Sequence, residues 1–140
     1  MSKILLVDDN ETNRYMIGAI LKRAGFEVST AVDGEEGLAA AAAERPDIIL
    51  MDVQMPGIDG FEATRRLKAG AETGHVPVIA LSAHEARDKA GEIAAAGCDA
   101  YLTKPLDFPR LLAEVERLLG TTQRPGTLDT LAACAESETA

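Results

Sequence analysis

Residues 47–52 read Asp-Ile-Ile-Leu-Met-Asp, four large apolar side chains bracketed by aspartates. Such an uninterrupted run suits a strand covered on both faces, as the inner strands of a parallel sheet are. Residues 76–81, Val-Pro-Val-Ile-Ala-Leu, read the same way. Working outward, strand-like runs fall at 3–7, 27–31, 47–51, 76–81 and 100–102, with helical spacing between them. Met16, Ile17, Ile20, Leu21 and Ala24 form one helical stripe, and Gly25 follows where a stop is expected. Leu111, Leu112, Val115, Leu118 and Leu119 form another, with its stop expected at Gly120. Asp33 with Glu36, and Asp59 with Glu62, have capping-box spacing. Five strands alternating with five helices predict a doubly wound α/β fold: one parallel sheet, helices on both faces, right-handed crossovers. The folded domain is expected over residues 1–120. Residues 121–140, with Pro125, Gly126 and many small polar residues, read as a flexible tail or truncated linker with a short helix near 128–135.

Four of the strand-like runs end in a reactive polar group. Residues 4–7 lead into Asp8 and Asp9, 48–51 into Asp52, 78–81 into Ser82, and 100–103 into Lys104-Pro105. In open α/β sheets, ligands bind outside the carboxyl ends of the strands, so these groups are expected at one edge. Two carboxylates about 4 Å apart repel by about 4 kcal/mol at an effective dielectric near 20. The single ammonium of Lys104 cannot offset three such pairs, whereas a hard divalent cation can. Oxygen donors at an open site favour Mg2+, for which Mn2+ could substitute. Asp52, followed by the turn Met55-Pro56-Gly57, is placed to attack a phosphoryl group and form an acyl phosphate. Lys104 would stabilise charge on the phosphoryl oxygens, and Ser82 would donate to one of them. The Lys104-Pro105 bond is expected to be cis, aiming the ammonium inward. Singly, each group is what a cap or turn contains; their joint appearance at successive strand ends carries the reading.

Bulk composition narrows the classes. The 140 residues carry 14 Lys plus Arg against 23 Asp plus Glu, a net charge of -9. Nucleic-acid affinity rests largely on basic groups neutralising phosphates, so no direct nucleic-acid contact is expected. No apolar run approaches the roughly 20 residues that span a bilayer, and Met1-Ser2-Lys3 leads straight into a strand-like run with no secretory signal. A cytoplasmic protein without membrane contact is expected. Cys98 and Cys134 lack metal-ligand spacing with each other or with His75 and His84, and read as free thiols.

At these residues the chain closely resembles the receiver domains of two-component signalling. The resemblance spans residues 3–119 and rests on LLVDDNETNR at 5–14, DIILMDVQMPGIDGFE at 47–62, PVIALSA at 77–83 and GCDAYLTKP at 97–105. It implies a flavodoxin-like strand order 2-1-3-4-5. It implies that Asp52 accepts a phosphoryl group from a histidine kinase or phosphotransfer protein. Asp9, Asp52 and the Gln54 backbone carbonyl would ligate Mg2+ directly, and Asp8 mainly through water. Ser82 would be the switch hydroxyl, and Tyr101 the aromatic that moves inward after phosphorylation. Gln54 and His84 occupy the two positions that tune phosphoryl lifetime; neither is a carboxylate, so slow self-hydrolysis is expected. The only catalysis implied is of the chain's own phosphorylation and dephosphorylation, so it is not expected to be an enzyme in the ordinary sense.

The resemblance also implies partner surfaces. The first helix around Asn13, Arg14 and Ile17, with the Pro105-Leu106 loop, would meet the phosphodonor. The fourth helix, last strand and last helix would meet a downstream protein target. Residues 85–96 make a marginal helix, Ala-rich and interrupted by Gly91, suited to two positions of similar energy. A stand-alone receiver, monomeric or weakly dimeric, is expected, with a fragment of a hybrid histidine kinase or larger response regulator as the alternative. A haloacid dehalogenase-type phosphatase would need an acid where Gln54 stands. A flavodoxin-type phosphate loop would need small residues where Asp8-Asp9-Asn10-Glu11 stand.

Overall fold

Alternation with period two sorts the strand residues onto two faces, and the helices complete each face. The computed structural model describes residues 2–53, 57–82, 90–104 and 106–123, the side chains of 90, 92, 94 and 120–123 excepted. In chain order the elements are β1 (Lys3–Val7), α1 (Glu11–Arg23), β2 (Glu27–Ala31), α2 (Gly34–Glu44), β3 (Ile48–Asp52), α3 (Gly60–Ala69), β4 (Val78–Ser82), α4 (Ala90–Ala96), β5 (Ala100–Thr103) and α5 (Phe108–Gln123). The five strands form one sheet in the order β2-β1-β3-β4-β5, and every neighbouring pair is parallel. That is the expected doubly wound fold and strand order.

Ile4 and Leu6 of β1, Ile48 and Leu50 of β3, Ile79 and Leu81 of β4, and Leu102 of β5 pack against α1 and α5. The intervening residues Leu5, Val7, Ile49, Met51 and Val78 pack against α2 and α3. Ala80 and Val53 join Phe61 of α3 and Ala96 of α4 in a third cluster, with Tyr101 packed at its border. The β3 side chains are buried on both faces, as the uninterrupted run at 48–51 predicts. Each buried Leu or Ile contributes about 1.5–3 kcal/mol, so these central strands are the rigid floor of the molecule.

Helix boundaries follow local chemistry. Asn10, Asp33 and Asp59 cap α1, α2 and α3, each side-chain oxygen accepting from the backbone N–H three residues on. Glu36 completes its box by accepting from Val32 N rather than from the cap residue itself. Glu62 is engaged by Arg65 and Arg66, whose hydrogen bonds hold its carboxyl below the usual range. Gly25, at φ 103°, lets Phe26 N reach back to Leu21 O at 3.1 Å and closes α1 as expected.

The last helix departs from expectation. α5 continues through Gly120 to Gln123 instead of stopping there, so helix extends into the segment read as tail. A glycine inside a helix costs only about 1 kcal/mol, and the buried Leu111, Val115, Leu118 and Leu119 anchor the preceding turns. The strands β3 and β4 also each begin and end one or two residues later than predicted. The later ends take Asp52 and Ser82 into the sheet itself. The tail from residue 124, with Cys134, lies outside the described residues, as do Gln54, His84 and Pro105 with the expected cis bond. Residues 83–89, which include the first five residues of the predicted marginal helix at 85–96, lie outside them too; the described part, α4, spans 90–96.

Candidate functional site

The ends of β1, β3 and β5 bring Asp8, Asp52 and Lys104 together. Lys104 Nζ lies 3.3 Å from Asp8 Oδ2 and 3.4 Å from Asp52 Oδ2. Asp8 is fully buried and Asp52 nearly so, whereas the Lys104 side chain is 22% exposed. One carboxylate oxygen from each of Asp8, Asp9 and Asp52 lies within 4.8 Å of the others, with Asp9 on the exposed side. Two of these three carboxylates are withdrawn from water and share one ammonium. The donors are hard, anionic and convergent, and the arrangement fits a small divalent cation approached from the solvent side.

The alternation that builds the core also divides this edge. Asp8 continues the phase of Ile4 and Leu6, Asp52 that of Ile48 and Leu50, and Lys104 that of Leu102; all belong to the α1–α5 side. Ser82 keeps the phase of Val78 and Ala80, on the opposite side. Tyr101 pairs in register with Ala80, so it shares that face, half-buried against the α3–α4 cluster. The Asp8, Asp52 and Lys104 positions thus share one phase of the alternation, and the Ser82 and Tyr101 positions the other. Ser82 is fully buried, and its carbonyl accepts from Lys104 N at 2.6 Å. The backbone joins the two halves there.

The loop after β1 is tightly specified. Asp8 N donates to Ala31 O at 3.1 Å, and Asp8 Oδ1 accepts from Asn10 N at 2.8 Å. The Asp8 carbonyl accepts from Arg14 Nη1 at 2.7 Å. Asn10 then caps α1 through its bond from Asn13 N. No reading of spacing points to the Arg14 contact, because its acceptor is a backbone atom.

Gly60 is a second residue without visible chemistry in the sequence. Its N–H donates to Val53 O at 3.1 Å, and a Cβ built on it would lie 2.6 Å from Val53 Cα and closer still to Asp52 O. The amino end of α3 therefore rests directly on the backbone of the central aspartate. The glycine after the Asp59 cap is the one trace of this in the sequence.

A metal-competent aspartate trio, two of its members buried, with a lysine across a 2-1-3-4-5 parallel sheet defines a receiver-type signalling domain, and the chain belongs to that family. It matches the response regulator receiver domain over residues 4–116. It is 40% identical over 119 residues to protein PilH of Pseudomonas aeruginosa, covering 85% of this chain and 98% of PilH. It is 44% identical over 117 residues to response regulator PleD of Caulobacter vibrioides, covering 84% of this chain but only 26% of that longer protein. Among solved structures, the receiver domain of a Pseudomonas aeruginosa sensor histidine kinase aligns with a TM-score of 0.79 at 36% identity, over 85% of this chain and 98% of that one. That structure has a magnesium ion coordinated in its active-site cleft. The chain is thus a two-component phosphorelay receiver.

Proposed function

We propose that this receiver is a phosphoacceptor switch in which Asp52 takes a phosphoryl group from the phosphohistidine of a kinase or phosphotransfer protein. The observation that carries this reading is Lys104 Nζ poised between Asp8 and Asp52 at 3.3 and 3.4 Å. A Mg2+ ion held by Asp8, Asp9, Asp52 and the Gln54 backbone carbonyl would neutralise charge on the carboxylates and the incoming phosphoryl oxygens. A carboxylate oxygen of Asp52 attacks phosphorus as the phosphorus–nitrogen bond of the donor breaks. The bonding pair leaves with the imidazole nitrogen, and Asp52 becomes an acyl phosphate. Lys104 passes from the carboxylate to a phosphoryl oxygen, and the Ser82 hydroxyl donates to another.

Ser82 drawn toward the phosphoryl group shifts the end of β4, and Tyr101, on the same face, follows. The surface of α4, β5 and α5 is then re-presented to a protein target, while Gln54 and His84 set the phosphoryl lifetime. No free substrate is turned over. The net charge of -9 supports protein rather than nucleic-acid partners. No helix among the described residues is long and apolar enough to cross a membrane; a cytoplasmic setting belongs to the proposal. Incubation with acetyl phosphate and Mg2+, followed by intact mass, tests the chemistry. A single phosphoryl adduct is expected, absent without Mg2+ and absent in Asp52→Asn; an adduct persisting in Asp52→Asn overturns the assignment.

A second reading concerns what the domain serves. The matched region makes up 98% of PilH and 26% of PleD, and a receiver working as one part of a larger response regulator or hybrid kinase is the second reading. The phosphoacceptor chemistry is the same in both.

A further inference from the structure

We infer that Arg14 is a positioning residue for Asp9: it presets the exposed carboxylate of the trio by holding the peptide group that carries it. The inference rests on the cation site proposed above and adds a residue outside it. The Asp8 carbonyl and the Asp9 N–H belong to one peptide plane, and Arg14 Nη1 donates to that carbonyl at 2.7 Å. Asp8 is otherwise fixed through its N–H to Ala31 O and through its carboxylate by Asn10 N and Lys104 Nζ. On the far side of Asp9, Asn10 is fixed by Asn13 N on its side chain and Arg14 N on its carbonyl. Arg14 thus grips the loop at both ends, its side chain on Asp8 and its backbone on Asn10. Asp9 is the exposed tip between two immobilised neighbours. A carboxylate held this way loses little freedom on taking a cation, the general means by which groups outside a metal's ligand set tune its affinity.

The alternative role for Arg14 is purely electrostatic, and the two make opposite predictions. A guanidinium near an acidic cluster repels an incoming cation, so removing its charge should tighten Mg2+ binding. Loss of a positioning bond should weaken it. Calorimetric titration of Mg2+ into the wild-type chain, Arg14→Met, Arg14→Lys, Asp9→Asn and the double variant Arg14→Met/Asp9→Asn separates them. The expected result is about tenfold weaker binding in Arg14→Met, with partial recovery in Arg14→Lys, whose ammonium can still reach a carbonyl but lacks the planar fork. In the Asp9→Asn background, Arg14→Met should cost nothing further, because the two residues act as one unit. The urea midpoint without metal, read alongside, identifies any variant that fails to fold; Arg14→Gln then replaces Arg14→Met with the same expectation. Unchanged or tighter binding in Arg14→Met, or an equal loss with and without Asp9, overturns the inference while leaving the cation site standing. No Mg2+ uptake by the wild-type chain overturns the proposed site and this inference with it.

Discussion

At the scale of single residues, the site is constrained by what touches the backbone of Asp52. Gly60 leaves no room for a side chain between α3 and the end of β3. In Gly60→Ala the methyl group must displace the Asp52–Val53 backbone or lift the helix, and overpacking of this kind costs about 1–3 kcal/mol. Urea unfolding should register that loss, and the rate of acetyl phosphate labelling should fall several-fold in the protein that remains folded. Cys98 is a quieter case. Burial pushes its thiol above the ordinary value of 9.0, outweighing a hydrogen bond with Thr64 that acts the other way. A folded pKa above the unfolded one means that the neutral thiol favours the native state. That contribution is complete below about pH 9 and is lost as pH rises through the higher folded value. In a Cys134→Ser background, iodoacetamide should modify Cys98 more slowly at pH 8 than it modifies the urea-unfolded chain. Equal rates would contradict the effect of burial.

Among the elements, the joint between α3, β4 and β5 depends on one lysine. Lys68 Nζ donates to Val76 O and to Asp99 Oδ2, both at 2.8 Å, and the same Asp99 oxygen accepts from Val78 N. Asp99 N in turn donates to Val78 O at 2.8 Å. The start of β4 and the entry to β5 are thereby tied to the carboxyl end of α3, at the end of the sheet away from the aspartates. Lys68→Met keeps the apolar stem but removes both donated bonds, at an expected cost of about 1–2 kcal/mol because the groups are only part-buried. Equilibrium urea unfolding measures it. Phosphorylation should be largely unaffected, since the opposite sheet edge is untouched; a comparable loss of labelling would show that the two ends are coupled.

For the molecule as a whole, the acidic edge trades stability for chemistry. Three carboxylates within 4.8 Å are held against one ammonium. Removing a charge should therefore relieve repulsion. Asp52→Asn is expected to raise stability in the absence of divalent ions by about 1–2 kcal/mol, well below the dry-interior Coulomb value because one side of the site is open to water. Mg2+ should stabilise the wild-type chain by mass action, with a midpoint that climbs with concentration. The same titration should have little effect on Asp52→Asn. Thermal unfolding across a Mg2+ series checks both, and a destabilised Asp52→Asn would argue against net repulsion at the site.

What could be read from the sequence alone was what repeats or closes a repeat. The double-sided apolar runs at 48–51 and 78–81 imply central parallel strands, because no half-wet sheet tolerates them. Polar residues ending those runs imply one reactive edge, because parallel strands share a direction. The spacing of Asp33 with Glu36 and Asp59 with Glu62 marks helix starts for reasons local to the backbone. Gly120 misled, because its local preference to stop a helix is weaker than the packing that anchors α5. Only the tertiary structure sets Ser82 and Tyr101 on one phase of the edge and Asp8, Asp52 and Lys104 on the other, since that relation depends on register between strands far apart in sequence. Only it places Arg14 on the Asp8 carbonyl and Gly60 on Asp52, because both contacts are to backbone atoms. Side-chain chemistry leaves its pattern in the order of residues, whereas the accessibility of a main-chain atom is set by how the elements pack.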